Sequence, residues 1–235
     1  MIRQRRQLLQ GLVVGAVSFT VPGAFADTLR RTATTGDGPF YPDRLPLDTD
    51  NDLLIINDHL TPAVGEVTHL TGRLQTDSGA PIRNAVIEIW QSDINGSYIH
   101  TGGRNAGKLD GNFQGYGRFL TDADGRYYFR TIKPVPYTLN GQFRAPHIHV
   151  AVSKSGQRLM ATQALVRGHE ANARDSIAKR FGDPAAIETL MVEYHPLPGS
   201  AVGELTASFD IVLGRTAQEL PDGSIGGIGT PPDRH

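Results

Sequence analysis

The sequence of 235 residues contains no cysteine. This absence excludes disulfide bonds, iron–sulfur clusters, cysteine-ligated zinc and thiolate nucleophiles. A bound metal ion would have to be held by imidazole, phenol, carboxylate or carbonyl groups. Without covalent cross-links the chain has to be stabilised by its hydrophobic core, and it is long enough to bury one.

An excess of charge of one sign is also lacking, since 23 Lys and Arg residues stand against 24 Asp and Glu residues. Without a basic cluster inside the chain there is little electrostatic drive towards nucleic acid, and no nucleic-acid partner is expected. The sequence has no Gly-rich phosphate loop and no Gly-x-Ser-x-Gly elbow, the common motifs of nucleotide-binding proteins and serine hydrolases. Gly and Pro are frequent by contrast, with 27 and 15 residues, and indicate many turns and long loops.

The first 26 residues have the pattern of an export signal. A charged start with Arg5 and Arg6 precedes a mostly apolar stretch at 8–21, and Ala24-Phe25-Ala26 is a small-x-small cleavage site. The apolar stretch is short for a hydrocarbon core of about 30 Å, so we expect cleavage rather than a membrane anchor, which is the alternative interpretation. The arginine pair resembles a twin-arginine signal and predicts export of the folded protein to the periplasm. The mature protein is expected not to associate with the membrane.

Short segments of alternating apolar residues dominate the middle of the chain. They predict strands at 68–74, 85–91, 117–121, 126–131, 147–152, 158–165 and 205–213. Turn residues at 122–125 and 153–157 predict two hairpins. Helical signals are limited to 171–181 and 184–194, the second with Asp183 as its N-cap.

Many strands and little helix predict an all-β fold. We expect an antiparallel β-sandwich with long loops and one or two short helices. In this interpretation 27–67 is an N-terminal arm, 68–213 is the sandwich and 214–235 is a mobile C-terminal tail.

The triplet His147-Ile148-His149 lies in one of the predicted strands. Residues two apart in a strand point to the same face, so both imidazoles can approach one metal ion while Ile148 turns into the opposite layer. The alternative is a pair of unrelated polar histidines on a solvated face.

With cysteine absent, oxygen atoms have to complete a metal site of this kind. Tyr98 follows an apolar strand, and Tyr137 follows the rigid segment Lys133-Pro134-Val135-Pro136. A tyrosine in a loop usually covers the core, but a phenolate is a hard ligand that suits a trivalent cation. Two histidines and two tyrosines would therefore match Fe(III), and would match Mg²⁺ or Ca²⁺ poorly.

At these residues the sequence resembles the intradiol ring-cleavage dioxygenase family. The resemblance runs from about Gly36 to Leu165, and the order of its short motifs makes it specific. The motifs are Gly36-Asp37-Gly38-Pro39-Phe40-Tyr41-Pro42, Ala85-Val86-Ile87-Glu88-Ile89-Trp90-Gln91, Asn95-Gly96-Ser97-Tyr98, Gly117-Arg118, Thr121-Asp122-Ala123-Asp124-Gly125, Thr131-Ile132-Lys133-Pro134-Val135-Pro136-Tyr137 and Arg144-Ala145-Pro146-His147-Ile148-His149.

The resemblance implies a β-sandwich that holds one non-haem Fe(III) per chain. Tyr98 matches the tyrosinate that stays bound, and Tyr137 matches the axial tyrosinate that leaves when substrate arrives. His147 and His149 match the imidazole ligands. The implied reaction uses O₂ to cleave a small aromatic ortho-diol, of catechol or protocatechuate type, between its two hydroxyl-bearing carbons, giving a muconate-type dicarboxylate.

Two further positions are implied to act on the substrate. Arg144 matches an arginine beside the ring, and its alternative is a surface salt-bridge residue. Gln163 matches a pocket glutamine, and its alternative is an ordinary strand residue. The family often has an aromatic residue shortly after the axial tyrosine, whereas Leu139 is found here. The specificity for the substrate ring is therefore expected to differ from a specificity for protocatechuate. A homo-oligomer or a second type of subunit is compatible with the resemblance.

Two other functions remain open at the level of sequence. The segment from Thr71 to Val86 also resembles transthyretin-like modules, which would make the protein a non-catalytic binding module. A site with two histidines and a carboxylate, as in Fe(II) oxygenases or zinc hydrolases, would need Asp110 or Glu170 nearby. The other histidines are interpreted as surface or capping residues, and His100, two residues beyond Tyr98, is the least certain of these.

Overall fold

The computed structural model describes residues 28–56, 60–105, 108–139, 141–176, 181, 183–214, 218–219 and 225–226. Residues 1–26, which carry the predicted export signal, lie outside these ranges, and export stays a prediction. No helix among the described residues is long and apolar enough to cross a membrane.

Fourteen strands form most of the regular structure in this part of the chain. They are β1 Val67–Thr76, β2 Val86–Trp90, β3 Tyr116–Leu120, β4 Arg126–Ile132, β5 Tyr137–Leu139, β6 Gln142–Arg144, β7 His147–Lys154, β8 Gln157–Val166, β9 Met191–Val192, β10 Tyr194–Pro196, β11 Leu205–Ser208, β12 Ile211–Leu213, β13 Gln218–Glu219 and β14 Ile225–Gly226. Two 3₁₀ segments occupy Thr101–Gly103 and Glu170–Arg174, and one short helix, α1, occupies Pro184–Glu188.

The larger strands form two five-stranded sheets. In the first, β1 pairs with β4 on one side and with β11 and then β12 on the other, and β10 extends β11. The second has the order β3-β2-β7-β8-β9. The predicted all-β sandwich is confirmed, and both sheets are mixed, since β1 runs parallel to β11 and β12 and β8 runs parallel to β9. β5 and β6 form a separate two-stranded sheet, as do β13 and β14 within the predicted tail.

The main hydrophobic core lies between the two sheets because alternate residues of their strands point inwards. Leu70 and Phe129 contribute from the first sheet, and Ile87, Ile148 and Val150 contribute from the second. The expected inward orientation of Ile148 is confirmed. The other face of β7 is also buried, under loops and the small β5–β6 sheet, and it is this face that carries the candidate site.

One of the two predicted hairpins is wrong. The turn at 153–157 does join β7 to β8 as an antiparallel pair. The turn at 122–125 instead connects the sheets, because β3 pairs with β2 and β4 pairs with β1. Asp122 accepts backbone hydrogen bonds from Asp124 and Arg126, which explains the tight reversal. Such local turn chemistry fixes a change of direction, whereas burial of the flanking strands selects their partners.

The two predicted helices have different outcomes. In the first, 171–181, the chain begins with a 3₁₀ segment at Glu170–Arg174, and the rest of this helix stays a prediction because residues 177–180 lie outside the described part. The second is only α1, for which Asp183 is the N-cap as predicted. The remainder, expected to be helical up to residue 194, forms β9 and begins β10. Pairing with β8 and β11 buries Val192 and half-buries Met191 and Tyr194, and these tertiary contacts override local helix propensity.

The last predicted strand, 205–213, is divided into β11 and β12. Between them, the Phe209 backbone N–H donates to the Thr71 carbonyl at 2.9 Å, and the Asp210 carboxylate accepts from the Arg73 backbone N–H at 2.9 Å. The chain leaves the regular ladder at these two residues, and it pairs with β1 in the same register before and after them.

Candidate metal centre

Two imidazoles from β7 lie side by side on the face of the second sheet that points away from the main core. The Nε2 atoms of His147 and His149 are 3.2 Å apart, and the residues are 1% and 0% exposed. Strand alternation places both side chains on this face, as the sequence predicts.

Tyr98 reaches the same point from the loop that follows β2. Asp93, fully buried, folds this loop: its carboxylate accepts backbone hydrogen bonds from Asn95 at 2.8 Å, Ser97 at 2.9 Å and Asp110 at 2.6 Å. The Tyr98 backbone N–H then donates to the Gly103 carbonyl at 2.8 Å. The phenol is thus held on a tightly hydrogen-bonded loop rather than on a sheet.

Tyr137 approaches from the hairpin of β5 and β6, where it lies opposite Arg144. The loop with Tyr98 can come close to it because residue 96 is glycine, with φ of +74°, and an added Cβ would lie 2.7 Å from the Cβ of Tyr137. Glycine is required here both for the backbone conformation and for the approach.

The four side chains meet through their polar atoms. The phenol oxygen of Tyr98 lies 3.1 Å from that of Tyr137 and 3.3 Å from Nε2 of His147, and the Tyr137 oxygen lies 3.5 Å from the same nitrogen. Ligands at about 2.0–2.1 Å from one ion are separated by about 2.9–3.4 Å. The contacts of 3.1, 3.2 and 3.3 Å fall within this range and the contact of 3.5 Å lies just beyond it, so the four side chains are close enough to approach a single ion.

The two imidazoles are oriented in different ways. His147 Nδ1 donates to the Ala145 carbonyl at 2.6 Å, which leaves the lone pair on Nε2, towards the other three groups. His149 Nδ1 has no hydrogen-bond partner in the described part of the chain, and its ring stacks on Trp90 with centroids 4.8 Å apart and an interplanar angle of 7°. Burial lowers the pKa of both imidazoles, and the charge of Arg144 lowers it further, so both are neutral, as metal ligation requires.

The two phenols, in contrast, need a cation to ionise. Burial raises the pKa of Tyr98 well above its usual value and also raises that of Tyr137. Arg144 opposes the shift at both residues without reversing it. A hard, highly charged ion supplies the missing stabilisation of phenolate, and the donor set of two neutral imidazoles and two phenols fits Fe(III).

Arg144 and Gln163 lie at the edge of the centre and contact each other. Arg144 Nη2 donates to Gln163 Oε1 at 2.6 Å, and Arg144 Nε donates to Asp175 at 3.0 Å. Gln163 is opposite His149 in the β7–β8 register. Both positions implied by the resemblance are thus next to the four candidate ligands, and the surface salt-bridge interpretation of Arg144 does not fit, because its side chain is only 11% exposed.

The alternative site, with two histidines and a carboxylate, finds no support in the described ranges. No group of three His, Cys, Asp or Glu residues there could hold a metal ion. The Asp110 side chain accepts backbone hydrogen bonds from Val64 and Asn112 instead. Glu170 begins the 3₁₀ segment that precedes Asp175.

The remaining histidines that the structure describes agree with non-ligand roles. His100 and His169 cap the two 3₁₀ segments, where their Nδ1 atoms accept from the backbone of Gly102 and Ala171. His69 contacts Tyr128, and His195 contacts Glu193. His59 lies outside the described residues.

The N-terminal arm covers the centre from the side of Trp90. The Tyr41 hydroxyl donates to Glu88 at 2.8 Å, its ring packs edge-on against Trp90 at 5.0 Å, and Arg158 donates to the same carboxylate at 3.0 Å. An added Cβ at Gly38 would lie 3.0 Å from the His149 ring. Tyr41 thus packs the arm onto the sheet.

Sequence reasoning missed three side chains that hold the centre in place: Asp93, Asp175 and the stacking role of Trp90. Asp93 leaves a weak trace, since aspartate before Asn95-Gly96 is typical of a turn. Asp175 and Trp90 leave none, because their contacts join segments that are distant in the chain.

Comparison with known proteins agrees with this geometry. A family model described as "Dioxygenase" matches residues 36–215. The protocatechuate 3,4-dioxygenase beta chain of Burkholderia cepacia is 38% identical over 164 residues, which are 67% of this chain and 68% of the relative. The hydroxyquinol 1,2-dioxygenase of Rhodococcus opacus is 28% identical over 204 residues, which are 77% of this chain and 63% of the relative.

A solved structure of a dioxygenase is also similar to this chain. Catechol 1,2-dioxygenase from Acinetobacter sp. ADP1 superposes with a TM-score of 0.59 at 25% identity, covering 85% of this chain and 66% of the other. This chain therefore spans about two thirds of the length of these relatives. With a family match over most of its length and a relative of 38% identity, the chain belongs to the intradiol ring-cleavage dioxygenase family.

Proposed function

We propose that this protein uses O₂ to cleave an aromatic ortho-diol between its two hydroxyl-bearing carbons, with one Fe(III) held by Tyr98, Tyr137, His147 and His149. The observation that carries the proposal is a buried cluster of two phenols and two neutral imidazoles, in which Nε2 of His147 lies 3.2–3.5 Å from the polar atoms of the other three. The product would be a muconate-type dicarboxylate. When bound, Fe(III) favours the ionised forms of the phenols and of the diol, and its electron demand activates the ring towards O₂.

Tyr137 is the residue that we assign to accept a proton from the entering diol. Its phenol oxygen lies beside Nε2 of His147 at 3.5 Å, and its strand is only three residues long. Burial raises the pKa of the Tyr137 phenol, so a phenolate at this position that the metal did not stabilise would be a base able to accept a proton from the diol.

Arg144 would stabilise the negative charge that develops on the substrate ring. Its guanidinium is held on one side by Asp175 and on the other by Gln163, so its orientation is set before the substrate enters. Gln163 would thereby contribute to catalysis by holding Arg144, in addition to lining the pocket.

The substrate is proposed as a diol of catechol, protocatechuate or hydroxyquinol type, since the relatives are named for reactions with such compounds. Leu139 lies two residues beyond Tyr137 on the same face of β5, where it is 8% exposed. An aliphatic side chain there would favour a ring without a bulky charged substituent.

Oxygen uptake by the iron-reconstituted protein tests the proposal across catechol, protocatechuate and hydroxyquinol. We expect uptake with at least one diol, consumption of one O₂ per ring, and visible absorption from ferric tyrosinate before substrate is added. His149→Ala should abolish uptake, whereas His195→Ala, at an exposed position, should retain it. A colourless iron-loaded protein that consumes no O₂ with any diol would refute the function. Diol binding without uptake would instead support the binding-module alternative.

Export and assembly are separate proposals. The pattern of residues 1–26 supports export to the periplasm by a twin-arginine route, which a fusion of this segment to a folded reporter would test. The relatives include an alpha chain as well as a beta chain, which supports association with another copy or a second subunit. Light scattering of the purified chain would test self-association.

A further inference from the structure

Asp175 is a buried carboxylate beside the candidate metal centre. It follows the 3₁₀ segment Glu170–Arg174 and is 0% exposed. One of its oxygens, Oδ2, accepts from Arg144 Nε at 3.0 Å and from the Ala145 backbone N–H at 2.7 Å. A single atom thus contacts two consecutive residues at the end of β6.

The Ala145 peptide extends this contact towards the metal site. On one side of the residue its N–H donates to Asp175, and on the other its carbonyl accepts from His147 Nδ1 at 2.6 Å. This last hydrogen bond determines which ring nitrogen faces the other candidate ligands. The carboxylate therefore contacts the imidazole through one intervening residue.

The same carboxylate determines where the charge of Arg144 lies. Nε donates to Asp175 while Nη2 donates to Gln163 at 2.6 Å, so the planar guanidinium is held at two of its edges. If Asp175 were removed, Arg144 would keep only one of these two hydrogen bonds, the one to Gln163. A flexible guanidinium loses more side-chain entropy whenever it has to adopt one geometry.

A second contact fastens the segment before Asp175 to the same strand. The guanidinium carbon of Arg174 lies 4.8 Å from the ring centroid of Phe143, the residue that precedes Arg144 on β6. Segment 170–175 is thus joined to β6 at two successive positions.

We propose that Asp175 is a positioning residue for the reaction, acting through Arg144 and, by way of Ala145, through His147. The proposal rests on the proposed function. It assigns to one carboxylate both the placement of the charge beside the substrate and the orientation of a metal ligand. A purely structural role is the competing explanation, because removal of one partner from a buried ion pair destabilises many proteins.

Two substitutions separate geometry from charge. Asp175→Ala removes both hydrogen bonds, and we expect kcat to fall by about 100-fold and iron retention against a chelator to fall by at least about tenfold. Asp175→Asn can keep an oxygen in the same position, and we expect kcat to fall by no more than about tenfold. Because the asparagine is nearly isosteric, it keeps the test usable if the alanine variant fails to fold.

Asp52 provides a matched control on the other sheet. Its carboxylate accepts from Arg130 at 2.9 Å and from the Leu54 backbone N–H at 3.0 Å, the same combination of an arginine and a peptide. Asp52→Ala should lower the melting temperature but leave kcat, iron retention and the visible spectrum unchanged.

The coupling to Arg144 is tested in an Arg144→Gln background. There, Asp175→Ala should lower kcat by a clearly smaller factor than it does with Arg144 present, because only the route through Ala145 and His147 remains. Equal losses in both backgrounds would refute action through Arg144. Loss of stability alone in Asp175→Ala, with kcat and iron retention as in the Asp52→Ala control, would reduce Asp175 to a structural residue.

These outcomes can be distinguished from failure of the proposed function. If the wild-type protein turns over no diol, the proposed function is wrong. Iron retention and a crystal structure of Asp175→Ala would still test the placement of Arg144 and His147. Unchanged positions of both side chains in that structure would overturn the inference.

Discussion

Tyr98 and Tyr137 bring identical phenol groups to one point from segments that are held in different ways. The loop with Tyr98 is folded around Asp93, a fully buried carboxylate with three backbone donors. Tyr137 lies on β5, a strand of three residues that pairs with β6 and with no other strand in the described part. The hairpin is fastened mainly from outside, through Arg144 and Asp175.

This difference suggests how one ligand can move while the other stays. Moving the segment that carries Tyr98 would break three backbone hydrogen bonds to the buried Asp93 carboxylate. Displacing Tyr137 would require only a rotation of its side chain or a shift of a short hairpin. The contrast agrees with the proposed roles of Tyr98 as the permanent ligand and Tyr137 as the residue that accepts a proton.

The largest expected effect comes from removing the phenol oxygens one at a time. Tyr137→Phe should keep part of its iron, lose part of the visible absorption and lower kcat by about 10²–10⁴, because a general base is lost. Tyr98→Phe should lose most of its iron. Iron content, visible spectra and steady-state kinetics measure these effects. Tyr194→Phe is the control, since its buried hydroxyl has no hydrogen-bond partner among the described residues. An unchanged spectrum and normal turnover in Tyr137→Phe would contradict its assignment.

Asp93→Ala tests the anchoring of the Tyr98 loop. Leaving three backbone donors without an acceptor should lower the free energy of unfolding by about 3–5 kcal/mol. Chemical denaturation measures this loss. Asp122→Ala is the matched control, because Asp122 also accepts two backbone hydrogen bonds, but in an exposed turn, and a loss of about 1 kcal/mol is expected. Equal losses in the two variants would show that burial of Asp93 does not matter.

Gly96→Ala tests the close approach of the two segments. The positive φ and the contact with the Cβ of Tyr137 should together lower the free energy of unfolding by about 2–4 kcal/mol. The variant should also displace Tyr137 and change the visible spectrum of the iron-loaded protein. Gly156→Ala has a similar φ of +77° but nothing within 4 Å, so only about 1 kcal/mol should be lost. A spectrum unchanged by Gly96→Ala would mean that the approach does not constrain Tyr137.

Arg174→Met tests the external support of the hairpin and should have the smallest effect. Loss of the contact with the Phe143 ring should lower the free energy of unfolding by about 0.5–1 kcal/mol, since one face of the pair is exposed to water. Thermal denaturation would detect it. Lys133→Met, which removes a longer cation–ring contact of 5.8 Å to Tyr194, should lower the free energy of unfolding by a smaller amount. A loss of several kcal/mol in Arg174→Met would mean that the hairpin is anchored as firmly as the Tyr98 loop.

Local sequence patterns predicted the positions of strands and turns better than they predicted which strands pair. Alternation in β7 correctly placed His147 and His149 on one face and Ile148 on the other, because strand periodicity is a property of the backbone. The reversal at 122–125 was also correct, but its hairpin was not. Turn residues act over four positions, whereas the choice of sheet depends on apolar faces that are far apart in the chain.

The candidate site was predictable where short motifs carry it. Tyr98, Tyr137, Arg144 and Gln163 were identified through the family resemblance rather than through periodicity. Asp175 was not, because its contact requires a 3₁₀ segment about thirty residues away to dock on β6, and nothing in the adjacent sequence indicates that contact.

By itself the sequence determined the kinds of atoms that can hold a metal, since it offers no thiol, and it determined the face on which two imidazoles lie. Only the tertiary structure decided how closely the two phenols approach the imidazoles and which groups hold each candidate ligand in orientation. The physical reason is the distance along the chain over which each effect acts. Side-chain chemistry and strand alternation act within a few residues, whereas the approach of four ligands depends on how segments distant in sequence pack over one face of a sheet.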